Sequence, residues 1–226
     1  MLRRLAEDVG TLKRPALQIP PVALADVTPP DAVVALPEPE SVDGNVTLLE
    51  LLCLARLARA TAARTVFEFG TFDGRTTLTL AANAPDATVH TLDLPPDTET
   101  AMPIEQIERI YVFKPVSGAR FLGRPEASRI RQHFGDSATY DYGALRGTID
   151  LVFVDGSHSY PYVVSDSRNA LALLGARGGV IAWHDYGVWP GVTRALEELA
   201  REPAFAGLRH VEGTTLVLLD TRPPAR

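Results

Sequence analysis

One stretch of the sequence decides the fold: Thr65-Val66-Phe67-Glu68-Phe69-Gly70-Thr71-Phe72-Asp73-Gly74-Arg75-Thr76-Thr77. Its first residues form an apolar run, which predicts a strand. The acid Glu68 and the glycines Gly70 and Gly74 then predict a tight turn, and residues 78–82 are typical of a helix. A strand, a tight turn and a helix N-terminus together form a common cradle for nucleotide-like ligands.

A second strand follows at Val89-His90-Thr91-Leu92-Asp93 and ends in an acid. The distance along the chain from Glu68 to Asp93 is close to the spacing of about 20 residues between a glycine turn and a ribose-binding acid. The turn itself reads E-x-G-x-x-x-G and lacks the G-x-G-x-x-G pattern of dinucleotide-binding proteins. The sequence therefore predicts a nucleoside site that is not of the dinucleotide type.

The composition is that of an ordinary globular chain of 226 residues, with 46% hydrophobic and 22% charged residues. The net charge of -6 gives no basic field, so we expect neither nucleic acid nor an anionic membrane as partner. Cys53 is the single cysteine and cannot form an internal disulfide. We find no secretory signal in residues 1–10 and no membrane span, which makes the cytoplasm the expected location.

The chain divides into a proline-rich arm, residues 1–45, and one domain, residues 46–226. Prolines interrupt the arm after a short helix that we expect at Leu2–Val9. Thr47 and Glu50 have the spacing of a capping box, which predicts the start of a helix over 48–60.

The domain alternates strands and helices, which predicts a doubly wound α/β sheet, mostly parallel, with helices on both faces. The predicted strands span 65–69, 88–93, 149–154, 179–183, 208–212 and 214–219, the last two as an antiparallel pair. The predicted helices span 75–83, 125–133, 162–174 and 192–201. The connection 95–130 is too long for a plain loop and is a candidate lid or substrate wall.

Polar residues cluster where these strands end. In a doubly wound sheet, ligands bind outside the carboxyl ends of the strands. Each such residue could instead be a turn or a helix cap, but five strand-end sites in one chain are hard to explain in that way. They are the Glu68 turn, Asp93, Asp136 with Ser137, Asp155 with His158, and His184 with Asp185.

These residues carry a resemblance to the class I S-adenosylmethionine-dependent methyltransferases, over about residues 47–220. The turn with Phe72 in place of a glycine resembles the catechol and caffeoyl-CoA O-methyltransferase type, and the blocks around Asp155 and His184 resemble bacterial small-molecule methyltransferases of sugar, polysaccharide and antibiotic pathways. The resemblance implies a Rossmann-like sheet of seven strands. It implies cofactor contacts at Glu68, Gly70, Thr71, Phe72, Gly74, Thr76, Asp93, Leu94, Gly135, Asp136, Ser137 and Asp155.

Methyl transfer to a hydroxyl needs an in-line approach and a base. In the catechol type, a strand-ending Asp binds a divalent metal and a Lys three residues later is the base; here Asp155 is followed by His158. Histidine has an unperturbed pKa near ~6.5, so its neutral form is available at pH 7. We predict His158 as the base, with a helix cap as the alternative, and His184 as a second candidate that Asp155 or Asp185 would orient.

The resemblance also implies a metal site, for which Asp155, His184 and Asp185 stand in the matching positions. Carboxylate and imidazole both bind divalent metals, whereas Mg²⁺ prefers oxygen ligands. The sequence thus leaves metal dependence open.

Two further groups of side chains have two interpretations each. The aromatic residues near the strand ends could stack on an acceptor or only pack: Tyr160, Tyr162, Trp183, Tyr186 and Trp189. A basic cluster in or after the lid could be a solvated face or an arginine clamp for an anionic acceptor: Lys114, Arg120, Arg124, Arg129 and Arg131.

The function that the sequence favours is transfer of a methyl group from S-adenosylmethionine to a hydroxyl of a small acceptor, such as a sugar, with S-adenosylhomocysteine as product. A nicotinamide-dependent oxidoreductase and a non-catalytic binding module are the alternatives. The missing dinucleotide motif disfavours the oxidoreductase, and the dense ionisable groups near Asp155 disfavour the binding module. The arm could wrap a second copy of the chain in a homo-oligomer.

Overall fold

The structure is a computed structural model that describes residues 17–223. The helix expected at Leu2–Val9 lies outside the described residues. Within them, no helix is long and apolar enough to cross a bilayer.

The described residues form one mixed sheet with helices packed on both faces. The strands are β1 Pro21–Val22, β2 Thr65–Phe69, β3 Thr88–Asp93, β4 Ile130–Phe134, β5 Leu151–Val154, β6 Val180–Trp183, β7 Arg209–Val211 and β8 Val217–Asp220. The α-helices are α1 Leu24–Val27, α2 Leu48–Thr61, α3 Arg75–Asn83, α4 Arg109–Val112, α5 Tyr160–Leu173 and α6 Pro190–Leu199.

The strand order is β1-β7-β8-β6-β5-β2-β3-β4. Strands β2 to β6 pair in parallel, and β8 runs antiparallel to both β6 and β7. The order reverses at β2, because β3 and β5 lie on its two sides. The predicted doubly wound sheet with an antiparallel last strand is confirmed, and β1 from the proline-rich arm adds an eighth strand beside β7.

The helix predicted over 125–133 is wrong. Residues Pro125–Arg129 form a 3₁₀ turn, and the chain then enters β4, which pairs in parallel with β3 at the edge of the sheet. Pairing with β3 overrides the local helical preference of this segment. Ile130 is the only buried residue of β4, so the alternation typical of a strand is weak there.

The core lies in two layers, one on each face of the sheet. Alternate strand residues point to opposite faces: Leu151 and Phe153 pack with α2 and α3, whereas Val152 and Val154 pack with α5 and α6. The predicted capping box at the start of α2 is confirmed, with Thr47 and Glu50 satisfying each other's backbone groups. This packing fixes the carboxyl ends of β2, β3, β5 and β6 side by side.

Candidate active site

The carboxyl ends of these strands line one cavity of about 380 Å³. Residues 43–46, at the end of the arm and the start of the domain, form part of its wall, and the connection between β3 and β4 contributes residues of the expected lid. Every predicted site residue except Gly74 lines this cavity: Glu68, Gly70, Thr71, Phe72, Thr76, Asp93, Leu94, Gly135, Asp136, Ser137, Asp155, His158, His184 and Asp185.

The turn after β2 requires its two glycines. Gly70 has φ +89°, and a Cβ atom there would lie 2.0 Å from the carbonyl oxygen of Asp155. Gly74 has φ +86° and begins α3, where a Cβ would lie 2.6 Å from the ring of Phe121. Gly74 therefore acts through packing, and Gly70 lets the backbone after β2 lie directly against the backbone of Asp155 after β5.

Glu68 is buried beneath this turn. Its Oε2 accepts hydrogen bonds from the hydroxyls of Thr77 and, at 2.7 Å, of Thr91. Burial raises the pKa of Glu68 to about 8, although the two hydroxyls oppose the shift. The carboxyl is therefore mostly protonated at pH 7 and can donate as well as accept hydrogen bonds in the cavity.

Asp93 ends β3, as predicted, but one of its oxygens already has a cationic partner. The ammonium of Lys114, from the lid segment, lies 2.8 Å from Asp93 Oδ2, and both side chains are almost fully buried. Lys114 was only part of a basic cluster in the sequence interpretation. The structure places it in the cavity, at the acid expected to bind ribose.

Asp136 organises the segment after β4. Its Oδ2 accepts from the backbone N–H of Ala101 at 2.7 Å and from the Tyr162 hydroxyl at 2.8 Å, and its Oδ1 accepts from the N–H of Ala138 at 2.9 Å. The carboxylate thus ties the beginning of the lid segment to the Gly135–Ser137 wall.

On the other side of the cavity, His158 lies between two carboxylates. Its Nε2 is 2.8 Å from Asp185 Oδ2, and its Nδ1 is 2.8 Å from Glu108 Oε1, the carboxylate that also accepts from the His158 backbone N–H. The imidazole stacks on Trp189 with ring centroids 4.2 Å apart.

Burial alone would lower the pKa of His158, but its contacts with Asp185 and Glu108 raise it to about 9. The imidazole is therefore protonated at pH 7 in this arrangement. The expectation of a neutral base at pH 7 is wrong for this arrangement, because the sequence did not reveal the two acids.

His184 is held in the same way. Its Nδ1 lies 3.2 Å from both Asp155 Oδ1 and Asp185 Oδ2, and its Nε2 lies 3.2 Å from Glu50 Oε2. Burial opposes its charged form, but the carboxylates, Asp155 foremost, raise the pKa of His184 well above the usual value. Both histidines are thus cations among acids at neutral pH.

The predicted metal ligands do meet, since His184 contacts both Asp155 and Asp185. A second grouping, Asp155, His158 and Asp185, brings one ligand atom from each residue to within 4.8 Å of the others. Two carboxylates and one imidazole suit a divalent transition metal better than they suit Mg²⁺. The donor set of Asp155, His158 and Asp185 therefore fits a divalent cation.

The aromatic residues divide between the two interpretations. Trp189 and Tyr162 line the cavity. Trp183, by contrast, is buried and donates to the Ser167 hydroxyl, Tyr186 accepts from the N–H groups of residues 18 and 19, and Tyr160 donates to Glu198. Trp183, Tyr186 and Tyr160 therefore pack against neighbouring segments and hold them in place.

The arginines of the basic cluster do not form a clamp in the cavity. Arg120 pairs with Asp73 at 2.7 Å, and Arg124 pairs with Glu38. Arg129 donates to the carbonyls of residues 81, 84 and 87 beside the end of α3, and Arg131 donates to the carbonyls of residues 128 and 130. These four side chains therefore stabilise the fold through contacts with other parts of the chain.

Sequence reasoning missed three ionisable residues of the site: Glu50, Glu108 and Lys114. From the sequence, Glu50 could be interpreted only as a helix cap. Its contact with His184 arises because α2 packs beside His184 and Thr215. Glu108 and Lys114 come from the irregular lid segment, where no periodicity predicts which side chains point inward.

The strand order with one antiparallel strand, together with a glycine turn and a strand-ending acid at the point where the order reverses, defines a class I S-adenosylmethionine-dependent methyltransferase. The chain belongs to the family described as a methyltransferase domain, whose model matches residues 67–186, more than half of the chain.

Solved structures have the same fold. The O-methyltransferase TomG from Streptomyces achromogenes, involved in tomaymycin synthesis and solved with S-adenosylmethionine, is 23% identical over 79% of this chain and 82% of its own, with a TM-score of 0.54. The methyltransferase PaMTH1 from Podospora anserina, solved with S-adenosylhomocysteine, is 18% identical over 96% and 95%, with a TM-score of 0.55. No curated protein matches the sequence significantly.

Proposed function

We propose that the protein transfers the methyl group of S-adenosylmethionine to a hydroxyl of a small metabolite, such as a sugar or a natural-product intermediate. One observation carries this proposal. A single cavity joins the glycine turn and Asp93, on the side suited to a nucleoside, with Asp155, His158 and Asp185 on the other. We further propose a cytoplasmic, bacterial enzyme with residues 46–226 as its catalytic domain.

The cofactor half of the cavity fits S-adenosylmethionine in its chemistry. Gly70 lines the cavity at the end of β2, Asp93 offers carboxylate oxygens for ribose hydroxyls, and residues 135–137 form the wall for the adenine. S-adenosylmethionine would supply a methyl group already activated by its sulfonium, and the protein would hold the acceptor hydroxyl in line with that methyl group and take up the hydroxyl proton.

The acceptor half supplies the proton acceptor. We propose His158 for this role, in its neutral form, with Asp185 orienting the ring through Nε2. Because the pKa of His158 is raised to about 9, turnover should increase as the pH rises towards 9. A divalent cation bound by the carboxylates of Asp155 and Asp185 would lower the pKa of the acceptor hydroxyl and orient it.

The test is methyl transfer from radiolabelled S-adenosylmethionine to a panel of sugars and phenols that carry free hydroxyls. We expect label in a hydroxyl-bearing acceptor with the wild-type protein, and loss of turnover with unchanged cofactor binding in His158→Ala. Normal turnover by this variant would refute the assignment of the base. The matched control is Asp86→Ala, an exposed acid in the turn between α3 and β3.

A further inference from the structure

Lys114 is singular in this chain. The sequence has 20 arginines but only two lysines, Lys13 and Lys114, and Lys114 is the one within the described residues. Its side chain is 11% exposed and lies with its ammonium 2.8 Å from Asp93 Oδ2. The same ammonium donates to the backbone carbonyl of Tyr111 at 3.1 Å.

The Lys114 contact uses an atom that the proposed function also requires. The two hydroxyls of a ribose need two of the roughly four acceptor positions of a carboxylate, and the ammonium of Lys114 occupies one on Oδ2 of Asp93, at the wall of the same cavity. No arginine and no other lysine lines the described cavity. The ammonium of Lys114 and the ribose hydroxyls would therefore approach the same buried acid from the same cavity.

We propose that Lys114 is a displaceable counter-ion of the cofactor site: the ribose of the cofactor takes its place on Asp93, and the strength of the Lys114–Asp93 pair helps to set cofactor affinity. This inference rests on the proposed function. A lysine suits the role because its ammonium is a flexible point charge, whereas an arginine would hold the carboxylate through a rigid two-pronged contact.

Displacement also changes how the lid is held. Lys114 follows α4 directly and ties Asp93 to the carbonyl of Tyr111. The Tyr111 ring contacts Phe72, with ring centroids 5.9 Å apart, and His158, at 6.4 Å. Cofactor binding thereby loosens one attachment of the lid beside the acceptor half of the cavity.

Calorimetric titration with S-adenosylhomocysteine tests the proposal. This ligand lacks the sulfonium charge, so a change in its affinity cannot come from charge repulsion between a sulfonium and the ammonium of Lys114. We expect Lys114→Met to bind it about threefold to tenfold more tightly than wild type, and Lys114→Arg to bind it more weakly. The matched control, Arg109→Met, removes an exposed cation from the same lid segment and should leave the affinity unchanged.

A second measurement uses the wild-type protein. Acetylation by an amine-reactive ester, quantified by mass spectrometry with Lys13 as internal reference, should be slow at Lys114 and become faster when S-adenosylhomocysteine is added. Equal or weaker binding by Lys114→Met, or protection of Lys114 by the ligand, would overturn the proposal. Absence of binding by the wild type and every variant would overturn the proposed function, and this inference with it.

Discussion

At the scale of single residues, the position of Gly70 imposes two constraints that only a residue without a Cβ atom satisfies. Its φ is +89°, and the carbonyl oxygen of Asp155 occupies the position of a Cβ. Gly123 has a similar φ of +74°, but nothing lies within 4 Å of the position that a Cβ would take there, so it isolates the cost of the backbone conformation.

We therefore expect Gly70→Ala to lower the free energy of unfolding by more than about 3 kcal/mol, or to prevent folding. Gly123→Ala should cost only about 1–2 kcal/mol. Urea unfolding of both variants measures the difference, and equal losses would show that the close approach of Asp155 is not a real constraint.

Asp166 of α5 is a buried acid outside the proposed chemistry. It is 1% exposed, neither oxygen makes a well-formed hydrogen bond, and burial raises its pKa to about 7, which Ser137 offsets only in part. Because the pKa in the folded protein exceeds the unfolded value near ~4, the ionised form penalises folding. This penalty begins near pH 4, grows up to about pH 7 and is constant above it.

Asp166→Asn should therefore gain stability over wild type as the pH rises. We expect the difference in free energy of unfolding to change by about 2–4 kcal/mol in favour of the variant between pH 4.5 and pH 8. Urea titrations at the two pH values measure it, with the exposed Asp86→Asn as control. The same difference at both pH values would contradict the burial argument.

At the scale of elements, one buried arginine makes several of the contacts that attach the arm to the domain. Arg75, the first residue of α3, is 1% exposed and donates to two backbone carbonyls of the arm, those of Glu38 at 2.8 Å and Pro39 at 2.9 Å, and to that of Val46, directly after the arm, at 2.8 Å. Since residues 43–46 line the cavity, Arg75 positions one wall of the site.

Arg75→Lys keeps the charge but cannot reach three carbonyls, so it should cost about 2–4 kcal/mol. Amide hydrogen exchange should accelerate in residues 38–46 and stay unchanged in β5. The control is Arg59→Lys on the exposed side of α2. Unchanged exchange in residues 38–46 would mean that other contacts hold the arm.

Elements with strong local signals could be predicted from the sequence. Strands β2, β5 and β6 are buried, largely apolar runs bounded by glycines or polar residues, so their positions could be predicted. Strand β4 was missed because three of its five residues are Arg131, Gln132 and His133, and only pairing with β3 makes it a strand. The two-residue β1 carries no periodicity at all.

At the scale of the whole molecule, the predicted topology indicated that the polar residues at the strand ends would lie together. It gave no such information for residues outside the strand ends. Asp93, Asp155 and Asp185 end or follow the parallel strands β3, β5 and β6, and parallel strands bring such residues to one edge of the sheet. The charges that face them from α2 and the lid could not be predicted, because their approach depends on tertiary packing. Those charges decide the protonation of His158 and His184 and pair Asp93 with Lys114.

The proposed function depends above all on binding of S-adenosylmethionine in this cavity through Asp93. It is tested by calorimetric titration of the wild-type protein and Asp93→Ala with S-adenosylmethionine and S-adenosylhomocysteine, with and without Mg²⁺. We predict micromolar binding of both ligands by the wild type and its loss in Asp93→Ala, while Asp86→Ala binds as the wild type does. Absence of binding of either ligand by the wild type under every condition would contradict the proposed function.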